Sequence, residues 1–146
     1  MAQITRDGYI ARNDGMRDWY LNHDKFGINA FFENASAVLY YEDGKYVVES
    51  KCGETTFDTT LEEVLLRYKH LDGYMAIEAT PYSQPILQML LTSHCIEEIH
   101  VFWIPVDLVH GLAFPISELE FGWRLKHSEP VKADTRVTYS VYVGND

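Results

Sequence analysis

The sequence has little positive charge, because 12 lysine and arginine residues stand against 22 acidic residues and the formal net charge is −10. The basic residues are scattered and form no run. Proteins that bind nucleic acid normally carry a basic surface, which replaces the counterions around the phosphates. We therefore expect no nucleic-acid partner, and acidity of this kind is more often a solubility feature than a functional one.

Long apolar runs and a cysteine framework are also missing. No run approaches the roughly 18 residues that would indicate a membrane span. The first ten residues, MAQITRDGYI, lack the basic-then-apolar order of a secretory signal. Cys52 and Cys95 are the only cysteines, which is too few for a disulfide scaffold. The sequence thus predicts a cytoplasmic protein without a membrane partner.

The motifs of metal and nucleotide chemistry are absent as well. The six histidines show neither an HxxxH nor an HExxH spacing, and Cys52 has no CxxC partner. We therefore predict no metal site. The chain also contains no GxSxG, Walker or GxGxxG loop.

What the sequence does contain is enough apolar surface for one folded domain over residues 1–146. Hydrophobic residues make up 47% and aromatic residues 14%, which argues against disorder. An Asp-Gly pair between 37–41 and 46–50 predicts a hairpin. Thr60 and Glu63 have capping-box spacing at the start of a helix that ends at Asp72-Gly73. The other predicted elements are strands over 1–5, 74–78, 99–104, 121–127 and 136–143, a helix from Ile86 to about His94, and a helix beginning near Asp24 with Phe26, Ala30 and Phe31 facing inward.

The centre of the chain reads helix, strand, helix, strand, which is typical of βαβ units and a parallel sheet. The fold class that we expect is therefore α/β, with a mostly parallel sheet and an antiparallel C-terminal edge. Ligands of such sheets bind outside the carboxyl ends of the parallel strands. This rule directs attention to Glu78, to the residues after it, and to the region around Pro105.

Glu78 ends a buried strand, where a carboxylate is costly unless it is solvated, hydrogen-bonded or used by a ligand. It could contact a substrate amine or a ribose hydroxyl, or it could only cap the following turn. The stretch TRDGYIARNDGMRDW leaves two interpretations open in the same way. It is either an ordinary surface loop with one buried aromatic, or a glycine-hinged flap in which Trp19 covers a planar ring near a carboxylate.

That stretch resembles the dihydrofolate reductase-like superfamily, in particular the branch with the C-terminal reductase domain of the bifunctional riboflavin-biosynthesis deaminase/reductase. Members of the branch often begin S-x-D-G-[FYK]-I-A, followed by a D-G turn and D-W. The corresponding residues here are 5–11, Asp14-Gly15 and Asp18-Trp19. The later matches are Ile77-Glu78, a helix, 95–99, a strand closed by Pro105, His110-Gly111 and a final RVTY strand.

The resemblance implies a three-layer fold with a twisted sheet flanked by helices, commonly a homodimer, and NADPH-dependent reduction of a pyrimidine- or pterin-like substrate. In such an enzyme the protein mainly aligns the two reacting carbons and excludes water. The residues that the resemblance assigns are Glu78 and Asp7 to catalysis, Thr5, Asp18 and Trp19 to the substrate, and Gly8, Ala11, Ala79, Thr80, Ser83 and Gly111 to the cofactor.

The chain departs from the family where the cofactor diphosphate binds. Relatives have a glycine pair after the strand that ends in glutamate, whereas this chain has Ala79-Thr80 followed by Pro81. The G-R-x-T-Y-E-like run of relatives is replaced by 40–44. Two functions follow. The chain is either a small reductase that holds the diphosphate through the amides and hydroxyls of Thr80 and Ser83, or a non-catalytic descendant serving as a dimeric or small-molecule-binding module.

Overall fold

A computed structural model describes residues 1–145 of the chain. Strands and short helices alternate along it. The elements are, in chain order, β1 (Ala2–Thr5), β2 (Tyr9–Ala11), α1 (Ile28–Glu33), β3 (Ala37–Glu42), β4 (Lys45–Ser50), β5 (Thr55–Asp58), α2 (Leu61–Arg67), β6 (Met75–Ile77), a 3-10 turn (Gln84–Ile86), α3 (Leu87–Thr92), β7 (Glu98–Ile104), β8 (Leu112–Ala113), α4 (Ile116–Gly122), β9 (Trp123–Val131) and β10 (Asp134–Gly144). The chain is therefore a mixed α/β protein, as the alternation of its sequence patterns predicts.

The chain divides into two compact units. The first unit contains Met1–Leu21 and the chain from Ala79 onward, and the second unit contains Asn22–Glu78. The expectation of one domain over residues 1–146 stays a prediction.

The first unit is built on a four-stranded sheet with the order β1-β7-β10-β9. β1 and β7 are parallel, whereas β10 is antiparallel to both of its neighbours. The predicted antiparallel edge at the C-terminus is confirmed. β2 and β8 form a second, two-stranded antiparallel sheet. The core side chains of this unit are apolar and almost fully buried, and they include Ile4, Ile10, Val101, Leu119 and Val137.

The second unit contains a four-stranded sheet with the order β5-β4-β3-β6. β3 and β4 form the predicted hairpin, whose turn residues Asp43 and Gly44 have φ values of 51° and 77°. β6 is parallel to β3. The start of α2 is also as predicted, because the Thr60 hydroxyl accepts the backbone N–H of Glu63. Ile28, Val48 and Val64 are fully buried in this unit.

The prediction of a mostly parallel sheet is wrong. Among residues 1–145, two strand pairings are parallel and five are antiparallel. The strands predicted as successive members of one parallel sheet are β6 and β7, yet β6 pairs with β3 and β7 pairs with β1 and β10. The pattern of apolar residues identified these strands, but it carries no information on which distant strand completes each hydrogen-bond ladder.

For the first helix, the predicted start near Asp24 and the predicted inward position of Ala30 are wrong. Gly27 has a left-handed φ of 76°, which a right-handed helix does not contain, so the helix begins after it, at Ile28, and not near Asp24. This shift turns Ile28 into the core and leaves Ala30 exposed. Phe26 and Phe31 are half-buried.

Candidate functional site

Asp7 joins two loops of the first unit through its carboxylate. The Thr5 hydroxyl donates to Oδ1 at 2.7 Å, and the backbone N–H groups of Leu108 and Val109 donate to Oδ2 at 2.9 and 2.8 Å. Thr5 is fully buried, and its hydroxyl also accepts the backbone N–H of Tyr9 at 2.9 Å. Asp7, assigned to catalysis, and Thr5, assigned to substrate binding, are thus hydrogen-bonded to each other and to neighbouring backbone N–H groups.

The pKa of Asp7 is lowered from its ordinary value. Desolvation acts to raise the pKa, but the hydrogen bonds from the Thr5 hydroxyl and the amides of Val109 and Leu108 favour the ionised form and outweigh it. A carboxylate with a lowered pKa is a poor general acid near neutral pH. The geometry of Asp7 therefore suits a fixed anion that accepts hydrogen bonds, and not a group that exchanges protons.

The loop over residues 106–111 has further contacts with the N-terminal segment. Arg6 forms a bidentate ion pair with Asp107, with N–O distances of 3.1 and 2.5 Å. The Tyr9 hydroxyl donates a hydrogen bond to the carbonyl of Val109 at 3.0 Å. Val109 has a φ of 72°, which is strained for a β-branched residue, and its side chain is 79% exposed. The surrounding hydrogen bonds hold the backbone in this conformation.

Three of the residues assigned to the cofactor are tightly packed within the first unit. Ala11 is fully buried and pairs with Leu112 between β2 and β8. A β-carbon at Gly111 would overlap the carbonyl oxygen of Ala11, and one at Gly8 would lie 3.1 Å from the side chain of Ile116. Packing against the backbone therefore requires glycine at position 111, and the φ of 96° at Gly8 is one that other residues rarely adopt.

Asp18 and Trp19 lie at the end of the N-terminal loop. Asp18 makes a two-pronged ion pair with Arg12 at 2.7 and 3.1 Å, and this pair is exposed. The Arg12 guanidinium lies 5.6 Å from the centre of the Trp19 ring. The Trp19 ring is half-buried, and its Nε1 is buried without a hydrogen-bond partner among the residues that the structure describes.

Gln3 is a buried polar residue that no sequence motif indicates. It lies in β1 with 2% of its surface exposed, and its Oε1 accepts the backbone N–H of Leu21 at 2.9 Å. Its Nε2 has no partner within residues 1–145. The only signal in the sequence was a glutamine between Ala2 and Ile4 in a predicted strand, and it does not show that Gln3 is buried.

In the turn over residues 79–86, which follows β6, the backbone N–H groups donate hydrogen bonds to acceptors within the protein. Pro81 and Pro85 have no N–H, and each of the other six backbone N–H groups has an acceptor. The Gln84 side chain also donates to the carbonyl of Ala113 in β8 at 3.2 Å. The acceptors of the backbone N–H groups are the carbonyl of Met1 for Ala79, Oγ of Ser83 for Thr80, Oγ1 of Thr80 for Tyr82 and Ser83, the carbonyl of Thr80 for Gln84, and the carbonyl of Ser83 for Ile86.

This turn does not fit a cofactor diphosphate. A diphosphate is bound by several N–H groups that point at it from a closely approaching backbone. Here the hydroxyls of Thr80 and Ser83 already bond to the amides of the same turn. Ala79 is 5% exposed, so its methyl group is packed in the interior and offers no approach to its backbone.

Glu78 belongs to the second unit and follows β6 directly. Its side chain is 20% exposed, and its Oε1 lies 3.9 Å from Nε2 of His23. The pKa of Tyr40 is raised, first by burial and then by the negative charges of Glu49 and Glu78. Glu78 is therefore a half-buried carboxylate that lies beside a histidine ring.

A row of hydrogen bonds that no sequence motif predicts crosses the four-stranded β-sheet of the first unit. Tyr139 bonds to Nδ1 of His100, whose Nε2 bonds to Glu98 at 3.0 Å. Lys126 donates to the other oxygen of Glu98 at 3.1 Å. Burial lowers the pKa of His100 in spite of Glu98, whereas the hydrogen bond from Lys126 lowers the pKa of Glu98.

Neither metal ligation nor a membrane span emerges from the part of the chain that is described. Within residues 1–145, no three His, Cys, Asp or Glu side chains form a group that could hold a metal ion. Both cysteines are free thiols. Among the same residues, every helix is too short or too polar to cross a lipid bilayer.

The structure therefore gathers most of the assigned residues in the first unit. Contacts connect Thr5 with Asp7, Thr80 with Ser83, and Gly111 with Ala11. Glu78 lies in the other unit. No protein-family model matches the chain, and a search of the curated proteins gives no significant match.

Proposed function

We propose that this chain is a small-molecule-binding module of dihydrofolate reductase-like ancestry that does not use a dinucleotide cofactor. The proposal rests on the turn over residues 79–86, whose backbone N–H groups are all engaged in hydrogen bonds within the protein. In that turn every backbone N–H has an acceptor from the protein. A diphosphate would have to break these hydrogen bonds and displace the buried Ala79 methyl group. The free energy lost in doing so would offset the free energy gained from the new contacts.

The proposed ancestry rests on the order of short motifs from Thr5 to the RVTY strand. The parallel pairing of β1 with β7 and the antiparallel β9 and β10 agree with it. The three-layer arrangement of that fold and its single domain belong to the proposal. The expected substrate class of the relatives, planar pyrimidine- or pterin-like compounds, is the ligand class that we propose here.

The proposal predicts that NADPH leaves the melting temperature of the chain unchanged at 1 mM. A cofactor with a dissociation constant near 10 μM would stabilise the protein by about 2.7 kcal/mol at that concentration. For a chain of this size such stabilisation corresponds to roughly 5–10 °C. Thermal unfolding followed by circular dichroism, with NADPH and NADH in parallel, provides the measurement.

The control in this titration is a mixture of AMP and ribose 5-phosphate, which together carry charges similar to those of the cofactor. A rise in melting temperature that is saturable and specific to NADPH would contradict the proposal. That result would instead support the second function.

The second function is a small NAD(P)H-dependent reductase acting on a pyrimidine- or pterin-type compound. The observation that favours it is Glu78, which is half-buried beside His23 after β6. In this role Glu78 would accept a hydrogen bond from a substrate amine or hold a proton near the reacting ring. The cofactor would then need donors outside residues 79–86, because those are already used.

We also propose that the chain forms a homodimer, as the resemblance implies. Light scattering should return twice the mass of one 16.9 kDa chain. A mass of one chain at micromolar concentration would contradict this part of the proposal and would leave the ligand class untouched.

A further inference from the structure

A row of apolar side chains crosses the sheet of the second unit. Tyr40 in β3 lies directly opposite Val47 in β4, and Val47 lies directly opposite Phe57 in β5. Residues that are directly opposite each other in antiparallel strands project from the same face of the sheet, with Cβ atoms about 4.5–5.5 Å apart. Tyr40 is 49% exposed, Phe57 is 66% exposed and Val47 is half-buried. These three residues, called the exposed row below, therefore form one continuous apolar strip that solvent reaches.

The opposite face of the same sheet is the one that packs against a helix. The hydroxyls of Thr56 in β5 and Tyr68 at the end of α2 are hydrogen-bonded at 2.7 Å. Asp58, the next residue of β5 on that face, is paired with Arg67 of α2. Since side chains alternate between the two faces along a strand, Phe57 points away from α2.

The composition of the exposed row is unusual for the solvent side of a sheet. When one face of an antiparallel sheet packs on a core, the other face is normally polar. Here two aromatic residues and a valine occupy neighbouring positions on three successive strands. Contiguous exposed apolar residues with polar residues around them mark interaction surfaces, and aromatic side chains are enriched at the centre of such surfaces.

The charges beside the exposed row are mostly negative. Glu49 is exposed and lies in β4, two positions after the member of the row in that strand. Burial is the largest cause that raises the pKa of the Tyr40 phenol, and the negative charges of Glu49 and Glu78 raise it further, so both carboxylates act on this ring. Among the residues of β3, β4 and β5 that share this face, Lys45 is the only cation, and it lies directly opposite Glu42.

This pattern of charge selects among the possible occupants of the exposed row. A second copy of the chain, packed through the same face, would bring like charges together, which opposes association. The phosphates of a nucleic acid or of an anionic lipid surface would meet the same repulsion. A partner with basic residues around an apolar stripe is attracted instead. A sheet face is shallow, and a helix with an apolar stripe packs well on it, as α2 does on the other face.

We propose that the exposed row is a docking surface for a basic amphipathic helix of a partner protein. The apolar stripe of that helix packs on Tyr40, Val47 and Phe57, and its basic residues lie beside Glu49. Removal of the row from water drives the association, whereas the carboxylates select a cationic helix over an anionic one. This interaction goes beyond the proposed function, because the small-molecule ligand takes no part in it.

The test uses two synthetic amphipathic helical peptides as probes. One has leucine on one face and lysine on the other, and the control peptide has glutamate in place of every lysine. Backbone N–H signals of the labelled full chain are followed in nitrogen–proton correlation spectra as each peptide is added. We expect saturable shifts with the cationic peptide, concentrated in residues 37–42, 45–50 and 55–58, and no saturable shift with the anionic peptide.

Three variants supply the matched comparison. Phe57→Thr removes the most exposed aromatic ring of the row and keeps a residue that favours strands. Glu49→Lys reverses the charge beside the row. Each should weaken the binding of the cationic peptide about tenfold or more. Phe121→Ala removes an aromatic ring of the first unit that is 82% exposed, and it should leave this binding unchanged.

The remaining outcomes each overturn the inference. One is the absence of saturable binding of the cationic peptide, and another is a set of shifts spread over the acidic residues of both units. Binding that neither Phe57→Thr nor Glu49→Lys weakens has the same consequence, as does equal binding of the two peptides. If light scattering shows that Phe57→Thr turns a dimer into single chains, the row contacts a second copy and not a basic partner. The proposed function is tested separately, by the titration with NADPH.

Discussion

We expect the Gly111→Ala variant to lose about 3 kcal/mol of unfolding free energy. For a chain of this size that loss lowers the melting temperature by roughly 6–12 °C. A β-carbon at position 111 would overlap the carbonyl oxygen of Ala11 and would lie 3.3 Å from the Tyr9 ring. Ala11 pairs with Leu112 between β2 and β8, so its carbonyl oxygen cannot move away without disturbing that sheet. Thermal unfolding by circular dichroism is the measurement.

Gly122→Ala is the matched control for this substitution. Gly122 is the last residue of α4, and a β-carbon there would meet no atom within 4 Å. Alanine is the better helix former by up to about 1 kcal/mol, so this variant should melt at or above the wild-type temperature. A Gly111→Ala chain as stable as wild type would contradict the close approach to Ala11. It would also restore the interpretation of Gly111 as a residue kept for a ligand.

Gly111 illustrates what a local sequence motif can and cannot establish. The residue matches a glycine-containing turn after Pro105 in the resembled family, and the resemblance assigns it to the cofactor. The reason for the glycine in this chain is the carbonyl of Ala11, 100 residues away in sequence. No pattern within the turn itself could have revealed that neighbour.

The elements that the sequence predicts well are those set by local interactions. The hairpin between β3 and β4 depends on Asp43-Gly44, and the start of α2 depends on Thr60 and Glu63. In both cases the residues that determine the structure lie within four positions of one another. Leu87 and Leu90, the buried residues of α3, lie about one helical turn apart, as one apolar face of a helix requires. β10 does not show a strict alternation, because Ser140 and Val141 are both buried.

The parts that could not be predicted depend on contacts between distant segments. The strand partners of β6 and β7 are one such case, and the acceptors in the turn over residues 79–86 are another. The sequence shows that this turn lacks glycine, but only the structure shows that Ser83 and Thr80 bond to the remaining amides. The buried donors of Gln3 and Trp19 likewise became visible only once burial was known.

The second large effect that we expect concerns Asp7, which the resemblance assigns to catalysis. Asp7→Ala should lower the unfolding free energy by about 2 kcal/mol, because three hydrogen bonds end on its carboxylate. A buried carboxylate would contribute more, but Asp7 is exposed and solvent screens its charge. The melting temperature should fall by roughly 4–8 °C. Without the carboxylate, the backbone of Val109 loses a hydrogen bond that stabilises its φ of 72°.

Asp7→Asn separates the hydrogen bonds of this residue from its charge. The asparagine Oδ1 can still accept the N–H groups of Leu108 and Val109, and its Nδ2 can donate to the Thr5 hydroxyl, which can act as an acceptor. This variant should therefore lose less than half as much stability as Asp7→Ala. A catalytic carboxylate would behave differently, because Asp7→Asn would then abolish turnover while the melting temperature stayed at the wild-type value.

The pH dependence provides an independent check on Asp7. Its pKa in the folded chain is below the ordinary value of 3.8, so the ionised form is the one that folding stabilises. The contribution of Asp7 is therefore fully present above pH 3.8 and is lost as the pH falls through the folded pKa. The difference in unfolding free energy between wild type and Asp7→Ala should be constant from pH 5 to pH 7 and should narrow in more acidic solution. A difference that grew on acidification would mean that the hydrogen bonds from Thr5, Leu108 and Val109 do not favour the ionised carboxylate.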